Sequence, residues 1–126
     1  MGIVGKPLTV GGARIKTLWE NPSFSQTSTF SAQTITGQDL DGVQNYSIVF
    51  VKARVWWLAS DTYCFAVTPV FADEQENNMM YLSSGSGYNG QRKCSVLTDS
   101  MSFTTGRYNG SNQDGALVPK TVYGVM

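Results

Sequence analysis

Short stretches in which apolar and polar residues alternate recur along this chain, and clusters of Gly, Asn, Asp and Pro separate them. Ala13 to Trp19 is one such stretch, and Tyr63 to Phe71 is another. A period of two is typical of β-strands, because successive side chains point to opposite faces of a sheet. The pattern therefore predicts strands in both stretches, and no convincing amphipathic helix accompanies them.

The strongest core segment runs from Tyr46 to Leu58, where apolar residues occupy both parities. This is typical of a central strand covered on both sides, and we expect it to pair with Tyr63 to Phe71 as a hairpin. One face also carries Lys52, so that face is expected to meet solvent or another subunit. We predict three subunit-interface residues there: Phe50, Arg54 and Trp56. A second core layer is the alternative for Trp56.

Further strands are predicted over four stretches: Thr27 to Ile35, Met79 to Leu82, Lys93 to Phe103 and Ala116 to Val125. About six or seven strands in 126 residues predict an all-β fold, an antiparallel β-sandwich of jelly-roll-like type. Residues 13–126 have the size of a single domain. Residues 1–12 are rich in glycine and contain Pro7, so we expect an N-terminal arm or linker there.

The charges of the chain balance, with nine Lys and Arg residues against nine Asp and Glu residues. Without a basic excess the chain has no field that attracts phosphates, so nucleic acid is not an expected partner. The longest apolar runs, such as Ile48 to Val51, are far too short to cross a bilayer. Membrane insertion is therefore not expected.

Histidine is missing from the whole sequence. Its absence removes the Ser-His-Asp and Cys-His arrangements of nucleophilic catalysis and the commonest metal ligand. The acidic clusters, Asp39 with Asp41 and Asp73 to Glu76, lie in predicted turns, where a solvated loop is the ordinary interpretation. The sequence predicts a protein that is not an enzyme and binds no cofactor or metal. A carbohydrate-cleaving enzyme built on paired carboxylates is the alternative.

Two predicted loops combine a tyrosine with an arginine and small polar residues, a composition suited to binding a saccharide. An exposed aromatic ring offers a flat face to a sugar, while polar side chains donate hydrogen bonds beside it. We predict six ligand-binding residues in these loops: Tyr88, Asn89 and Arg92 in the first, and Arg107, Tyr108 and Asn109 in the second. The alternative is that each tyrosine packs on its own domain.

The two cysteines, Cys64 and Cys94, have no CxxC partner and no neighbouring histidine. Their spacing does not predict a metal site. Two buried thiols are the ordinary interpretation, and a disulfide between neighbouring strands is the alternative, which only geometry decides.

Two regions near the ends of the chain carry recognisable motifs. The first runs from Ile15 to Ser23, with a Leu-Trp-x-Asn-Pro sequence, and continues in Phe30 to Ile35, which ends in Gln-Thr-Ile. The second runs from Val118 to Val125 and contains a proline and a Tyr-Gly pair. Together they resemble a C-terminal module of bacteriophage and prophage tail-fibre or baseplate proteins. We interpret the motif residues, such as Trp19 and Pro119, as fold determinants rather than as binding residues.

The resemblance implies a phage structural protein that is made in the cytoplasm of the bacterial host and becomes part of the virion tail. It implies a homotrimer that contacts other tail or virion proteins. Two hypotheses follow for its role. In the first, the chain is a receptor-binding module that engages a saccharide of the host-cell surface. In the second, it is a purely structural adaptor or decoration protein that contacts other phage proteins and binds no sugar.

Overall fold

In the computed structural model, the described part of the chain comprises residues 9–10, 13–55, 62–68, 78–83 and 89–126. These residues form eleven β-strands and one short 3-10 turn at Val43–Asn45. The strands are β1 (Thr9–Val10), β2 (Ala13–Glu20), β3 (Gln33–Thr36), β4 (Ile48–Arg54), β5 (Thr62–Val67), β6 (Asn78–Ser83), β7 (Asn89–Val96), β8 (Ser100–Phe103), β9 (Arg107–Tyr108), β10 (Ser111–Asn112) and β11 (Val118–Val125). The predicted all-β class is confirmed.

The strands form two antiparallel sheets. In the first sheet the order is β1-β2-β11-β4-β5, so β4 lies between β11 and β5 as the predicted central strand of that region. In the second sheet the order is β10-β9-β7-β8-β3, and β6 pairs with the other edge of β7. One edge of β7 therefore pairs with two short strands: β9 pairs with its first half and β8 with its second half.

One cluster of buried apolar side chains joins the two sheets. The first sheet contributes alternate residues of β4, namely Val49, Val51 and Ala53. The second sheet contributes alternate residues of β7 and β8, among them Cys94 and Met101. Because each sheet turns one face of its strands toward this cluster, the arrangement is an antiparallel β-sandwich, as predicted. The expected count of six or seven strands is too low, because the described residues form eleven, several of them only two residues long.

The two terminal motifs meet in space. Trp19 packs edge-on against Phe30, with 6.3 Å between ring centroids, and Phe30 contacts Phe103 at 5.5 Å. The Asn21 side chain donates a hydrogen bond of 2.8 Å to the carbonyl of Pro119, which ties the end of β2 to the start of β11. These contacts are structural, in agreement with the role expected of the motif residues.

Two strand predictions need correction. The stretch Thr27 to Ile35 is a strand only in its last part, as β3, because the backbone carbonyls before it bind side chains instead of a neighbouring strand. Lys93 to Phe103 is two strands rather than one, since the chain reverses between β7 and β8 and Leu97 donates its amide to the carbonyl of Ser100 at 2.9 Å.

The second predicted loop, which contains Arg107, Tyr108 and Asn109, includes a hairpin formed by β9 and β10. Its two turn residues, Asn109 and Gly110, have φ angles of 49° and 85°. Positive φ at both positions is typical of a type I′ turn, the commonest two-residue connection of antiparallel strands. In the predicted N-terminal arm, Thr9 and Val10 pair with β2, and the other arm residues lie outside the described ranges.

Candidate binding surface

Arg92, which was predicted to bind a ligand, is a core residue with 1% of its surface exposed. It belongs to β7 and has the parity of Cys94 and Val96, which also face the interior. Its guanidinium donates to five backbone carbonyls at 2.7 to 3.3 Å, those of Phe30, Thr104, Asp114, Ala116 and Leu117. All of its N–H groups are thereby used, so Arg92 has no donor left for a ligand.

Arg54, which was predicted to contact another subunit, is fully buried in its own chain. Its guanidinium donates to the carbonyls of Ser25, Ser28 and Gly115 and lies 5.8 Å from the centre of the Phe24 ring. The prediction is wrong because the segment before β3 folds over the end of β4 and its carbonyls bind this side chain. An interface residue would need a head group in solvent, and Arg54 has none.

The two buried arginines hold the same two loop segments together. Both bind carbonyls of the segment from Ser25 to Phe30, and between them they bind four consecutive carbonyls from Asp114 to Leu117. A buried cation is costly unless it is hydrogen-bonded, and here backbone carbonyls accept hydrogen bonds from all three guanidinium nitrogens of Arg92 and from both terminal nitrogens of Arg54. Because Arg54 lies on the first sheet and Arg92 on the second, the loops and both sheets are connected through these two side chains.

Burial lowers the pKa of both arginines. The pKa of Arg92 falls to about 10, chiefly through loss of solvation, while the carboxylate of Asp114 opposes this shift and the charge of Arg54 adds to it. The pKa of Arg54 is lowered by the same loss of solvation. Arg92 nevertheless stays protonated at neutral pH, so a positive charge remains beneath the surface of the second sheet.

Asn89 and Asn109, two more predicted ligand residues, bind each other. The backbone amide of Asn89 donates to the Asn109 side-chain oxygen at 2.9 Å, and the Asn109 amide donates to the Asn89 carbonyl, also at 2.9 Å. The Tyr81 hydroxyl donates to the Asn89 side-chain oxygen at 3.2 Å. The two asparagines therefore fix the β9–β10 hairpin against β7.

Arg107 and Tyr108 do not lie on the same surface, because they are successive residues of β9 and so point to opposite faces of the sheet. Arg107 pairs with Gln91 and is exposed on the outer face. Tyr108 pairs with Gly90 and is half-buried on the core side, which agrees with the alternative that this tyrosine packs on its own domain. Tyr88 and Trp56 lie outside the described residues.

Phe50, the remaining predicted interface residue, lies in the middle of the first sheet and is half-buried. Its cross-strand neighbours are Tyr123 on β11 and Ala66 on β5. The three side chains share the outer face of this sheet. A contact of this face with another subunit stays a prediction.

The outer face of the second sheet contains a groove of about 480 Å³, within the usual range of ligand sites. It lies where β8 ends and β9 begins, and Thr104 fills the gap in the strand ladder by hydrogen bonding both backbone groups of Lys93 at 3.0 Å. The exposed or half-buried polar lining residues are Gln91, Lys93, Thr104, Thr105, Arg107 and Asn112. Buried Arg92 and Phe103 lie at its base, and Met79 provides an exposed apolar wall.

Strand register orders four side chains into one row across this face. Tyr81 pairs with Gln91, Gln91 with Arg107, and Arg107 with Asn112. Tyr81 is 47% exposed although it is a large aromatic residue, and its cross-strand partner Gln91 lines the groove. Arg107 is held by a hydrogen bond to the carbonyl of Gly110. We call these residues the polar-aromatic row: Tyr81, Gln91, Arg107 and Asn112.

The chain matches no protein-family model, no curated protein and no solved structure. The resemblance of its terminal motifs to phage tail modules therefore stays a prediction, and only the fold is established.

Of the predicted ligand residues, the structure brings Arg107 to the groove surface, whereas Asn89 is bonded to Tyr81 and is not a lining residue. Sequence reasoning missed Tyr81, Gln91 and Asn112. A signal was present for Tyr81, because an aromatic residue that alternates with Met80 and Leu82 in a strand faces away from the core when those residues face it.

A second cleft, of about 560 Å³, lies between the end of β2 and strand β3. Its described lining residues are all uncharged, with amide groups from Asn21, Gln33 and Gln38 above a base of Trp19 and Ile35. The Gln38 side chain already makes two hydrogen bonds of 2.9 Å with the backbone of Glu20. This cleft differs from the groove chiefly in carrying no charge.

Both cysteines are free thiols, in agreement with the ordinary interpretation and not with the disulfide. Cys94 is buried, and loss of solvation raises its pKa to about 12, so it is unreactive at neutral pH. Cys64 is exposed on β5, so the expectation that it is buried is wrong. Among the described residues, β5 is the end strand of its sheet and has a neighbouring strand on one side only. Its side chains are therefore less covered than those of a central strand.

The described residues contain no group of three or more His, Cys, Asp or Glu side chains positioned to hold a metal ion. In the same part of the chain, no helix has the length and apolar character needed to span a bilayer.

Proposed function

We propose that this chain is a non-enzymatic binding module of a phage virion, and that the groove on its second sheet engages a saccharide of the host-cell surface. The observation that carries the proposal is the polar-aromatic row. It sets an exposed tyrosine in register with two amides and a guanidinium at an open groove.

The row has the chemistry that sugar recognition requires. A pyranose ring has an apolar face, which packs on an aromatic side chain, and a rim of hydroxyl groups, which exchange hydrogen bonds with amides and guanidinium groups. The hydrogen bond from Tyr81 to Asn89 holds the phenol ring in place before a ligand arrives. Pre-organisation of this kind reduces the entropy lost on binding.

A glycan array of bacterial surface saccharides tests the proposal, with three proteins compared: wild type, Tyr81→Ala and Tyr63→Ala. Tyr63 is the matched control, because it is equally exposed, at 47%, but lies on β5 of the first sheet. We expect Tyr81→Ala to weaken binding about fivefold, since an aromatic contact contributes about 1 kcal/mol. Tyr63→Ala is expected to bind as wild type does. Equal losses in both variants, or no binding by the assembled wild type, would contradict the proposal.

The phage setting is supported by the resemblance of the terminal motifs, and with it we propose a homotrimer. Phe50 is the described residue that we assign to subunit contact, since it lies with Tyr123 on the outer face of the first sheet. Light scattering measures the assembly state directly. Phe50→Asp is expected to lower the measured mass to that of one chain, and an unchanged mass would remove this face from the interface.

A purely structural virion component is the second candidate, favoured by apolar side chains exposed away from the groove. Ile48 is 40% exposed and Tyr63 is 47% exposed, and both lie on the first sheet. In this case the chain contacts other phage proteins through that sheet and binds no saccharide. An Ile48→Asp, Tyr63→Asp variant would then be lost from assembled virions, while the Tyr81→Ala variant would be retained with full infectivity.

A further inference from the structure

The charged side chains that line the groove are all positive, and the described acidic group that acts on Arg92, Asp114, lies outside the lining. Lys93 and Arg107 are exposed lining residues, and protonated Arg92 lies beneath them. No described lining residue of the groove is acidic. The second cleft, by contrast, is lined by uncharged residues. The chain as a whole is neutral, so the positive potential is a local property of the groove.

The three cations have different tasks. Arg92 has committed its N–H groups to backbone carbonyls, so it contributes charge but no hydrogen bond to a ligand. Lys93 and Arg107 reach solvent and are able to contact an anion directly. A buried cation acts at lower dielectric than an exposed one, so Arg92 adds to the attraction for an anion in the groove, although the Asp114 carboxylate offsets part of its charge.

We infer that the groove binds an acidic saccharide in which carboxylates are carried on the sugar rings, as in a chain of uronic acids. This inference rests on the proposed function and adds the charge of the ligand to it. Lys93 and Arg107 bind the carboxylate, Gln91 and Asn112 bind ring hydroxyls, and Tyr81 with Met79 packs on the apolar ring face.

A ring-borne carboxylate fits these residues better than a phosphodiester-linked polyol does. In a uronic acid the anion, the hydroxyl groups and the apolar face belong to one rigid ring. The exposed aromatic ring and the cation of the row are likewise separated by one strand, β7, so both are able to act on a single sugar unit. A polyol phosphate has no ring face for Tyr81 to pack against.

The test uses pairs of oligosaccharides that differ only in charge. Binding of wild-type protein is measured by calorimetry to oligogalacturonate, to its methyl ester, in which the carboxylates are neutral, and to polyglycerol phosphate. We expect the acid to bind about tenfold more tightly than the ester, because two charge-assisted contacts are lost on esterification. We also expect the affinity for the acid to fall as NaCl is raised from roughly 0.05 M to roughly 0.5 M.

Two double variants locate the effect. Lys93→Gln with Arg107→Gln removes two charges from the groove, and Arg14→Gln with Lys16→Gln removes two exposed charges from β2 of the other sheet. The first is expected to lose about tenfold in affinity for the acid and little for the ester, and the second to match wild type.

Each outcome decides a different point. If the acid and the ester bind equally well, the charge assignment is wrong while the saccharide proposal stands. If polyglycerol phosphate binds as tightly as the acid, the assignment of a ring-borne carboxylate is wrong. If the two double variants lose affinity alike, the groove is not the site. If neither oligogalacturonate form binds and the glycan array is also blank, the proposed function itself fails.

Discussion

Arg92 and Arg107 line the same groove, yet they have different structural roles. Arg92 is 1% exposed and donates only to backbone carbonyls of its own chain, whereas Arg107 is exposed and lies in the polar-aromatic row. One residue type thus serves as an internal anchor and as a surface cation within one sheet. The difference follows from strand parity, because Arg92 shares the inward parity of Cys94 while Arg107 pairs with outward-facing Gln91.

The comparison also separates two regions of the molecule. The anchored interior comprises Arg54, Arg92 and the loop segments that they bind, and its geometry is fixed by many hydrogen bonds. The groove surface depends on few internal contacts. Substitutions in the interior should therefore change the free energy of unfolding, and substitutions on the surface should change ligand binding.

The largest effect is expected for Arg92→Ala. The change leaves buried carbonyls of three loop segments without donors, and we expect the free energy of unfolding to fall by about 4 kcal/mol. Arg92→Lys should restore little, because an ammonium group does not reproduce the planar fork of a guanidinium group. Urea denaturation followed by tryptophan fluorescence measures both. A loss below about 1 kcal/mol would show that water replaces the guanidinium and that the interior is not anchored by it.

A smaller loss is expected for Gly106→Ala. A Cβ at this position would lie 2.5 Å from the carbonyl oxygen of Gln113, 2.6 Å from that of Ala116 and 2.6 Å from Arg92 Nη2. Backbone oxygens cannot move aside without disturbing the anchored loop, so we expect a loss of about 2 to 3 kcal/mol.

The matched control is Gly110→Ala in the β9–β10 turn, where a Cβ meets nothing within 4 Å but φ is +85°. Its cost is limited to backbone strain of about 1 kcal/mol. Equal losses at the two glycines would mean that the close approach at Gly106 is relieved by local movement.

The smallest effect on stability is expected for Arg107→Ala, which should change the free energy of unfolding by less than about 0.5 kcal/mol because the side chain is exposed. Its saccharide affinity should nevertheless fall, so the ranking of Arg92 and Arg107 reverses between the two measurements. If Arg107→Ala destabilised the fold as much as Arg92→Ala, the division between an anchored interior and a binding surface would be wrong.

The sequence was informative wherever local alternation decides the structure. The period of two identified β2 and β5, an apolar run at both parities identified β4, and the period of two places Arg92 with Cys94 and Val96 on the inner face. The loop predicted for Arg92 is wrong because strand parity, rather than the polar residues nearby, decides which face its side chain takes. Likewise, the Asn109-Gly110 pair is a signal for a hairpin turn. It makes Arg107 and Tyr108 successive residues of a strand, whose side chains point to opposite faces.

Long-range contacts were beyond prediction for a different reason. Arg92 binds the carbonyl of Phe30, 62 residues away, and Arg54 binds that of Gly115, 61 residues away. A carbonyl is present in every residue, so no side-chain pattern marks the loop that will accept such a bond. The polar-aromatic row was missed for a similar reason, since it is assembled by pairing across four strands.

The unequal cysteines give this protein a built-in attachment point. Of its two thiols, Cys94 is enclosed in the core, whereas Cys64 is exposed on β5 of the first sheet. A maleimide-coated sensor surface would therefore capture every native molecule through the sheet that does not carry the groove. The immobilised layer would have a single orientation, with the groove directed toward the solution, and no engineered tag would be required.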